Sequence, residues 1–392
     1  MLYNFDKLID RHGTNAIKYD ALDKLFGRHD LLPLWIADME FEAPAIVIDA
    51  MKKRLQHPVL GYSHTPDALW THIQNWLLNR HGWQVEREWI DFMPGIVKGL
   101  GFAVNLFVKE DEKVIIQPPV YHPFRLVPEG YHREVVMNPL KEREDGLYEM
   151  DFDNLEEVCD EKCKLLVLCN PHNPGGVCWS RETLQKLAHF AVTHGLIVIS
   201  DEIHCDMTIF GHTHIPFTSV SDEAAQCGMV FGAPSKLFNI PGAFTSYCVI
   251  PNPELREKFC GYMKVTGLNE PSVLAAEATI AALTPEGDEW RRQMLEYVEN
   301  NILFVEDFCR EHLPLIRPIR PEASFLVWLD CSKLGLPQGK LDDLFVNKAH
   351  LALNDGTMFG CGGECHMRLN VAEPRSILEK AMTMLKDAIS AE

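Results

Sequence analysis

Four short apolar runs with almost no polar interruption constrain this chain more than any other feature: "KVIIQPP" (113–119), "CKLLVLCN" (163–170), "GLIVIS" (195–200) and "GMVFG" (228–232). A strand with one face in water alternates apolar and polar residues. A strand covered on both faces need not, so runs like these predict parallel strands packed between two layers of helix. The intervening segments supply such helices. "SRETLQKLAHFAVTHG", between the second and third runs, is amphipathic and stops at Gly195, which makes a strand–helix–strand unit. A helix is also predicted over 66–80, where Leu69, Ile73, Trp76 and Leu77 share a face, with Thr65 as cap and Pro66 in the first turn.

The pattern changes in the last third. Long helical stretches (286–312 and 374–390) flank the strand-like "SFLVWLD" (324–330) and the turn-rich "LNDGTMFGCGGECHMRLN". This predicts α/β architecture with a mostly parallel sheet flanked by helices, plus a smaller α+β domain. The expected division is a large domain over 46–285 and a small one over 286–392, with residues 1–45 packing against the small one.

Charge narrows the function classes. The chain of 392 residues holds 56 acidic and 37 basic residues, a formal charge of -19, which repels phosphate backbones and anionic lipid. A small-molecule partner is expected, with no nucleic acid and no membrane. The opening "MLYNFDKLIDRHG" carries Asp6 and Asp10 and no apolar stretch of signal-peptide length, so a cytoplasmic location is expected. The twelve cysteines are scattered through apparent core strands and read as reduced, buried thiols. Cys159/Cys163 and Cys361/Cys365 have a three-residue gap and no matching pair at finger spacing, so no structural zinc is expected. His204, His212 and His214 invite a metal reading, but no thiolate or carboxylate cluster completes it.

In open parallel sheets, ligands bind beyond the carboxyl ends of the strands. The polar residues placed there are Tyr121 in "PPVYHPF", Asn170 and Asn173 in "NPHNPGG", Asp201 in "SDEIH" and Lys236 in "GAPSKLFNIPG". A lysine, a carboxylate, an amide and an aromatic ring at one sheet edge match the needs of pyridoxal phosphate. The amine bonds the aldehyde, the carboxylate keeps the pyridine nitrogen protonated, the amide donates to the ring oxygen and the aromatic ring stacks. A phosphate wants free backbone N–H groups at a helix start, which Gly95, Ile96 and Val97 in "MPGIVKGLGFAVNLF" offer.

With 28 residues from Asn173 to Asp201 and 35 from Asp201 to Lys236, these motifs resemble the fold-type-I pyridoxal-phosphate enzymes, the aspartate aminotransferase superfamily. The resemblance covers nearly the whole chain. Within the superfamily, "WIADMEF" (35–41), "GYS" (61–63), "SDEIHCDM", "HIPF" (214–217), "SKLFNIPG" and "RLNVAEPR" (368–375) look like the carbon–sulfur β-lyase branch, the cystathionine β-lyases of MalY/PatB type. The resemblance implies a seven-stranded sheet and pyridoxal 5'-phosphate as cofactor. It makes Lys236 the Schiff-base lysine, Asp201 the pyridinium partner, Asn173 the donor to the ring oxygen and Tyr121 the stacking ring. Tyr62 would reach the phosphate of a neighbouring subunit, which implies a homodimer with shared active sites. Arg368 would hold the substrate carboxylate, helped by backbone near Ala37 and Asp38.

Two positions depart from the aminotransferase pattern. Ala233 stands where a phosphate-binding serine is common and Phe244 where an arginine is, so phosphate anchoring falls to Ser235, the 95–97 helix start and Tyr62. His204 replaces a tyrosine, as in the lyase branch, and reads either as a cofactor contact or as a core histidine. The activity implied is β-elimination of thiols from cysteine S-conjugates such as cystathionine. The alternatives are an aminotransferase and a cofactor-binding regulatory scaffold.

Overall fold

The computed structural model describes residues 3–391. Its main sheet has seven strands in the spatial order Ile90–Met93, Ser246–Val249, Gly228–Gly232, Ile197–Asp201, Cys163–Cys169, Lys113–Ile116, Glu134–Met137. All neighbours run parallel except Ser246–Val249, which is antiparallel to both strands beside it. The four apolar runs of the sequence form its centre.

Burial on both faces shows in how alternate residues divide. Val114, Leu165, Val167, Ile199 and Phe231 enter one core with Ile96, Leu100 and Val104 of helix Ile96–Phe107. Ile115, Leu166, Leu168, Val198 and Val230 enter the other with Leu184, Leu187 and Ala191 of helix Arg181–His194. Each such side chain contributes on the order of 2 kcal/mol by leaving water. The three remaining strands escaped the sequence reading because none is an unbroken apolar run. Glu134–Met137, for example, is an edge strand with no fully buried residue.

Helix Arg181–His194 is bounded as its sequence suggests: Ser180 Oγ accepts from Thr183 N at 3.1 Å, and Gly195 closes it at φ 66°. The helix expected over 66–80 runs over Asp67–His81 instead. Pro66, extended at φ -71° and ψ 140°, takes the cap position, and Thr65 makes no capping bond.

A second, antiparallel sheet has the order Arg317–Ile319, Leu326–Asp330, His366–Asn370, Asn354–Asp355. Helices Pro285–His312 and Arg375–Ser390 pack against each other beside it. The stretch read as turn-rich therefore contains strand His366–Asn370. All five of its residues are buried although three are polar, because His366, Arg368 and Asn370 share one face. Leu32–Pro33 pairs in parallel with Leu351–Ala352, tying the start of the chain to this region. All twelve cysteines are free, but they are not uniformly buried: Cys361 is exposed. Among the described residues, no helix is long and apolar enough to cross a membrane.

Candidate active site

The central strands deliver their polar residues to one edge. Strand Ile197–Asp201 ends on Asp201 itself, whose carbonyl accepts from Asn170 N at 2.9 Å, so two neighbouring strand ends are locked together. The Asp201 carboxylate is buried and accepts one hydrogen bond, from Ile203 N at 3.1 Å. Burial pushes it up to about 7; the Ile203 bond and Lys236 pull the other way, and Glu202 adds to the rise. A carboxylate in that condition is poised to receive a cationic N–H.

Four residues past strand Gly228–Gly232, Lys236 donates from Nζ to Ala37 O at 2.7 Å. Burial brings its amine down to about 8, with Asp38 and Asp201 opposing and Arg368 reinforcing the fall. The free base is therefore accessible near neutral pH.

Arg368, buried in strand His366–Asn370, spends its guanidinium on three acceptors: Asn173 Oδ1 at 2.9 Å, Asn354 Oδ1 at 2.6 Å and Trp35 O at 3.1 Å. Its Nε is buried without a partner, and the Phe359 ring lies 4.9 Å from the guanidinium carbon. Because the Asn173 oxygen is committed to Arg368, its N–H2 is the group left to donate elsewhere. Tyr121 joins through its backbone, its N–H donating to Asn173 O at 3.1 Å. Its half-buried ring feels both Asp201 and Arg368. His204 is buried with Nδ1 unpartnered; burial, then Lys236 and Arg368, hold it down to about 3, so the ring is neutral.

Gly95 opens helix Ile96–Phe107 at φ 126°, a conformation that favours glycine, and the first-turn N–H groups of Ile96 and Val97 have no intrahelical acceptor. Ser235 is buried beside Lys236. Residues 35–41 cross the site as a strap. Asn370 Nδ2 donates to Ile36 O and Asp38 O at 2.9 and 2.7 Å, while Asn239 Nδ2 donates to Met39 O and Phe41 O at 2.9 and 2.8 Å. Asp38 also lines a cavity of about 1200 Å³ that reaches Lys98, Asn239 and Phe244 but is not lined by Lys236.

Lys236, Asp201, Asn173, Tyr121, Arg368, His204, Ala37 and Asp38 are thus brought together. Tyr62 is not: it stands fully exposed on the 56–64 loop, next to exposed Val59 and Leu60. Two of the three histidines of the metal reading lie against separate carboxylates. His214 Nε2 is 2.8 Å from Glu202 and His212 is 3.7 Å from Glu322, whereas His204 leaves Nδ1 unpartnered. The sequence reading gave no role to Asn239, Asn354 or Asn370, since a lone amide has no periodic signature.

The donor set fits a phosphorylated pyridine aldehyde. A buried carboxylate awaits a cation, an amide has its N–H2 free, an amine is held near 8, and N–H groups stand open at a helix start.

The comparisons agree with that chemistry. Residues 30–385 match the family described as aminotransferase class I and II, and the chain belongs to that family. It is 41% identical to cystathionine beta-lyase PatB of Bacillus subtilis, over 99% of this chain and 100% of the relative. Among solved structures, it superimposes on a PLP-bound putative aminotransferase from Clostridium difficile 630 with TM-score 0.96 at 37% identity, covering 99% of this chain and 100% of that one. Cystalysin from Treponema denticola, which contains pyridoxal 5'-phosphate, gives TM-score 0.95 at 31% identity over the whole of both chains.

Proposed function

We propose that this chain is a pyridoxal-phosphate-dependent carbon–sulfur β-lyase that takes L-cysteine S-conjugates such as cystathionine and water to a thiol, pyruvate and ammonia. The observation that carries the reading is the convergence of Lys236, Asp201 and the Arg368–Asn173 pair at one sheet edge, in a chain 41% identical end to end to PatB.

When bound, the cofactor supplies an electron-accepting ring conjugated to the substrate's α-carbon. Lys236 would hold it and, once the substrate's amine has displaced it from the aldehyde carbon, would be the free amine that takes the α-proton; its fall to about 8 makes it a usable base. Asp201 would keep the ring nitrogen protonated, Asn173 would donate to the ring oxygen, Tyr121 would stack on the ring, and His204 would be a neutral neighbour. Gly95, Ile96, Val97 and Ser235 hold the phosphate. Arg368 would hold the α-carboxylate with the backbone of Ala37 and Asp38, and would thereby orient the substrate so that its thiol is the leaving group.

Tyr62, without a role in its own chain, reaches the phosphate of a second copy in a homodimer. The chain divides into a large domain over 46–285 and a small one over 286–392, and the packing of 1–45 with the latter is supported by the pairing of Leu32–Pro33 with Leu351–Ala352. The acidic charge and free thiols favour the cytoplasm.

The likeness to a putative aminotransferase favours one second reading, transamination. Incubation with cystathionine or S-methylcysteine alone separates the two. Repeated turnover with equal pyruvate, ammonia and thiol supports the lyase; turnover that stops until a keto acid is added supports the transferase. Borohydride reduction should fix the cofactor to Lys236, and an adduct on Lys98 or Lys264 instead would sink the assignment.

A further inference from the structure

The outer side of the 35–41 strap rests on a buried cluster of charge that has no part in the chemistry described so far. Lys18, in helix Ile17–Asp20, is fully buried. Its Nζ lies 2.6 Å from Glu373 Oε1, 3.0 Å from Glu40 Oε1 and 3.8 Å from Asp38 Oδ1, and donates to Asp38 O at 3.4 Å. Arg11 splits its guanidinium between the same two strap residues, Nη2 to Asp38 Oδ2 at 2.7 Å and Nη1 to Glu40 Oε1 at 2.6 Å. Tyr19 completes the cluster, donating to Glu40 Oε2 at 3.0 Å, with His12 packed edge-on against its ring. Three carboxylates therefore share two cations. Burial pushes Glu373 upward against the pull of Lys18.

A buried ion cluster is a poor way merely to hold a loop, since apolar side chains of equal volume would hold it as well or better. Asp38 supplies another reason for the charges. The strap touches the site on both sides: Lys236 donates to Ala37 O, and Arg368 donates to Trp35 O. Besides burial, the groups acting on the Lys236 amine are Asp38, Arg368 and Asp201, and Asp38 is the foremost of these three. His204 faces the same amine as a neutral ring. Asp38 in turn is faced by Arg11 and Lys18, with Glu40 and Glu373 beside them.

We propose that Arg11 and Lys18 are positioning residues for the reaction: they fix the strap whose backbone meets the substrate carboxylate, and by neutralising Asp38 they set how strongly its charge acts on Lys236. The first turns of the chain thereby tune a base more than two hundred residues away in sequence. The inference rests on Lys236 carrying the cofactor, as proposed above.

The test uses the holoenzyme and three variants, Arg11→Gln, Arg11→Lys and Lys18→Met. Titration of the cofactor's visible band gives the midpoint, hydrogen exchange gives the order of residues 35–41, and steady-state kinetics gives KM and kcat. Arg11→Gln leaves Asp38 less neutralised, so the midpoint should rise by roughly half a unit to one unit. Measured at a pH above both midpoints, where the base is free in either protein, KM should rise about three- to tenfold with kcat within about twofold, the signature of lost substrate positioning. Arg11→Lys keeps the charge and should return the midpoint to within about 0.2 unit of wild type. Exchange over 35–41 should quicken in both Arg11→Gln and Lys18→Met. A folded Arg11→Gln protein with unmoved midpoint and exchange overturns the proposal. If Lys18→Met does not fold, Arg11→Gln decides alone, because Arg11 is partly solvent-exposed and its loss leaves Lys18 in place. A wild-type protein with no visible band overturns the cofactor reading, and this inference with it; a normal wild-type band whose midpoint Arg11→Gln leaves unmoved, with exchange over 35–41 also unmoved, overturns this inference only.

Discussion

Arg368 and Asn173 meet across the gap between the two sheets, Nη1 donating to Oδ1 at 2.9 Å, although 195 residues separate them in sequence. One bond serves two ends: it sets which way the amide points and uses one branch of the guanidinium fork. The other branch holds Asn354 and Trp35. Lysine has the charge but not the planar fork. Arg368→Lys should lower kcat/KM by about 10²–10³, mostly through KM, and should weaken cofactor binding because Asn173 is no longer oriented. Steady-state kinetics and a cofactor titration check both effects; loss of kcat alone would argue against a carboxylate clamp.

Asp201 gives a stability prediction of definite sign. In the cofactor-free chain its carboxyl sits near 7 against an ordinary 3.8, chiefly from burial. The folded state then binds more protons than the unfolded one between those values, so the contribution is fully present below pH 3.8 and is lost as pH rises through 7. At pH 8 the penalty is on the order of 4 kcal/mol, at about 1.4 kcal/mol per unit. Asp201→Asn should therefore stabilise the cofactor-free protein at pH 8 and do little at pH 4, as urea midpoints at the two values would show. The same change should cut turnover of the holoenzyme by orders of magnitude. Activity within a few-fold of wild type would remove the pyridinium role.

What could be read from the sequence depended on which way each residue faces. Leu165 to Leu168 alternate between two apolar cores, so their strand is an unbroken apolar run and easy to see. His366, Arg368 and Asn370 alternate with Met367 and Leu369 in a strand that is equally buried, but their face carries the site's polar groups and the run looks like turn. Lys236 and Asp201 were legible because they follow apolar runs. Lys18 was not: nothing local marks a lysine whose partners lie 22 and 355 residues away at Glu40 and Glu373. Asn354, similarly, is defined only by the fork it satisfies.

Tyr62 tests the second copy. It is exposed beside Val59 and Leu60 on a loop, an arrangement that costs solubility unless something covers it. Mixing a Lys236→Ala chain with a Tyr62→Ala chain, each inactive or nearly so, should restore activity in hybrid dimers that contain one intact site. The expected ceiling is about one quarter of wild type per dimer population, for random pairing with one good site in half of the dimers. A fully active monomer by sedimentation would end the idea.

Lys236 offers the last prediction, and it separates burial from mere proximity to charge. Its amine sits near 8 against an ordinary 10.5 because burial disfavours the ammonium, even with Asp38 and Asp201 opposing. For a base depressed in this way, the unfolded chain binds more protons between the two values. The contribution to stability is fully present above 10.5 and is lost as pH falls through 8. The same fall leaves about half of this amine unprotonated at pH 8, where an ordinary lysine amine near 10.4 is almost wholly protonated. With cofactor removed and a limiting acylating reagent at pH 8, Lys236 should be modified roughly ten- to a hundredfold faster than exposed Lys264, less whatever access the site denies. Its rate should level off near pH 8 to 9. Asp38→Asn removes the leading charge that opposes the fall, so it should move the Lys236 plateau to lower pH. Peptide mapping across a pH series reads both residues in one experiment. If the Lys236 rate keeps rising up to pH 10, the amine is an ordinary one, and the base assigned to the α-proton must be sought elsewhere.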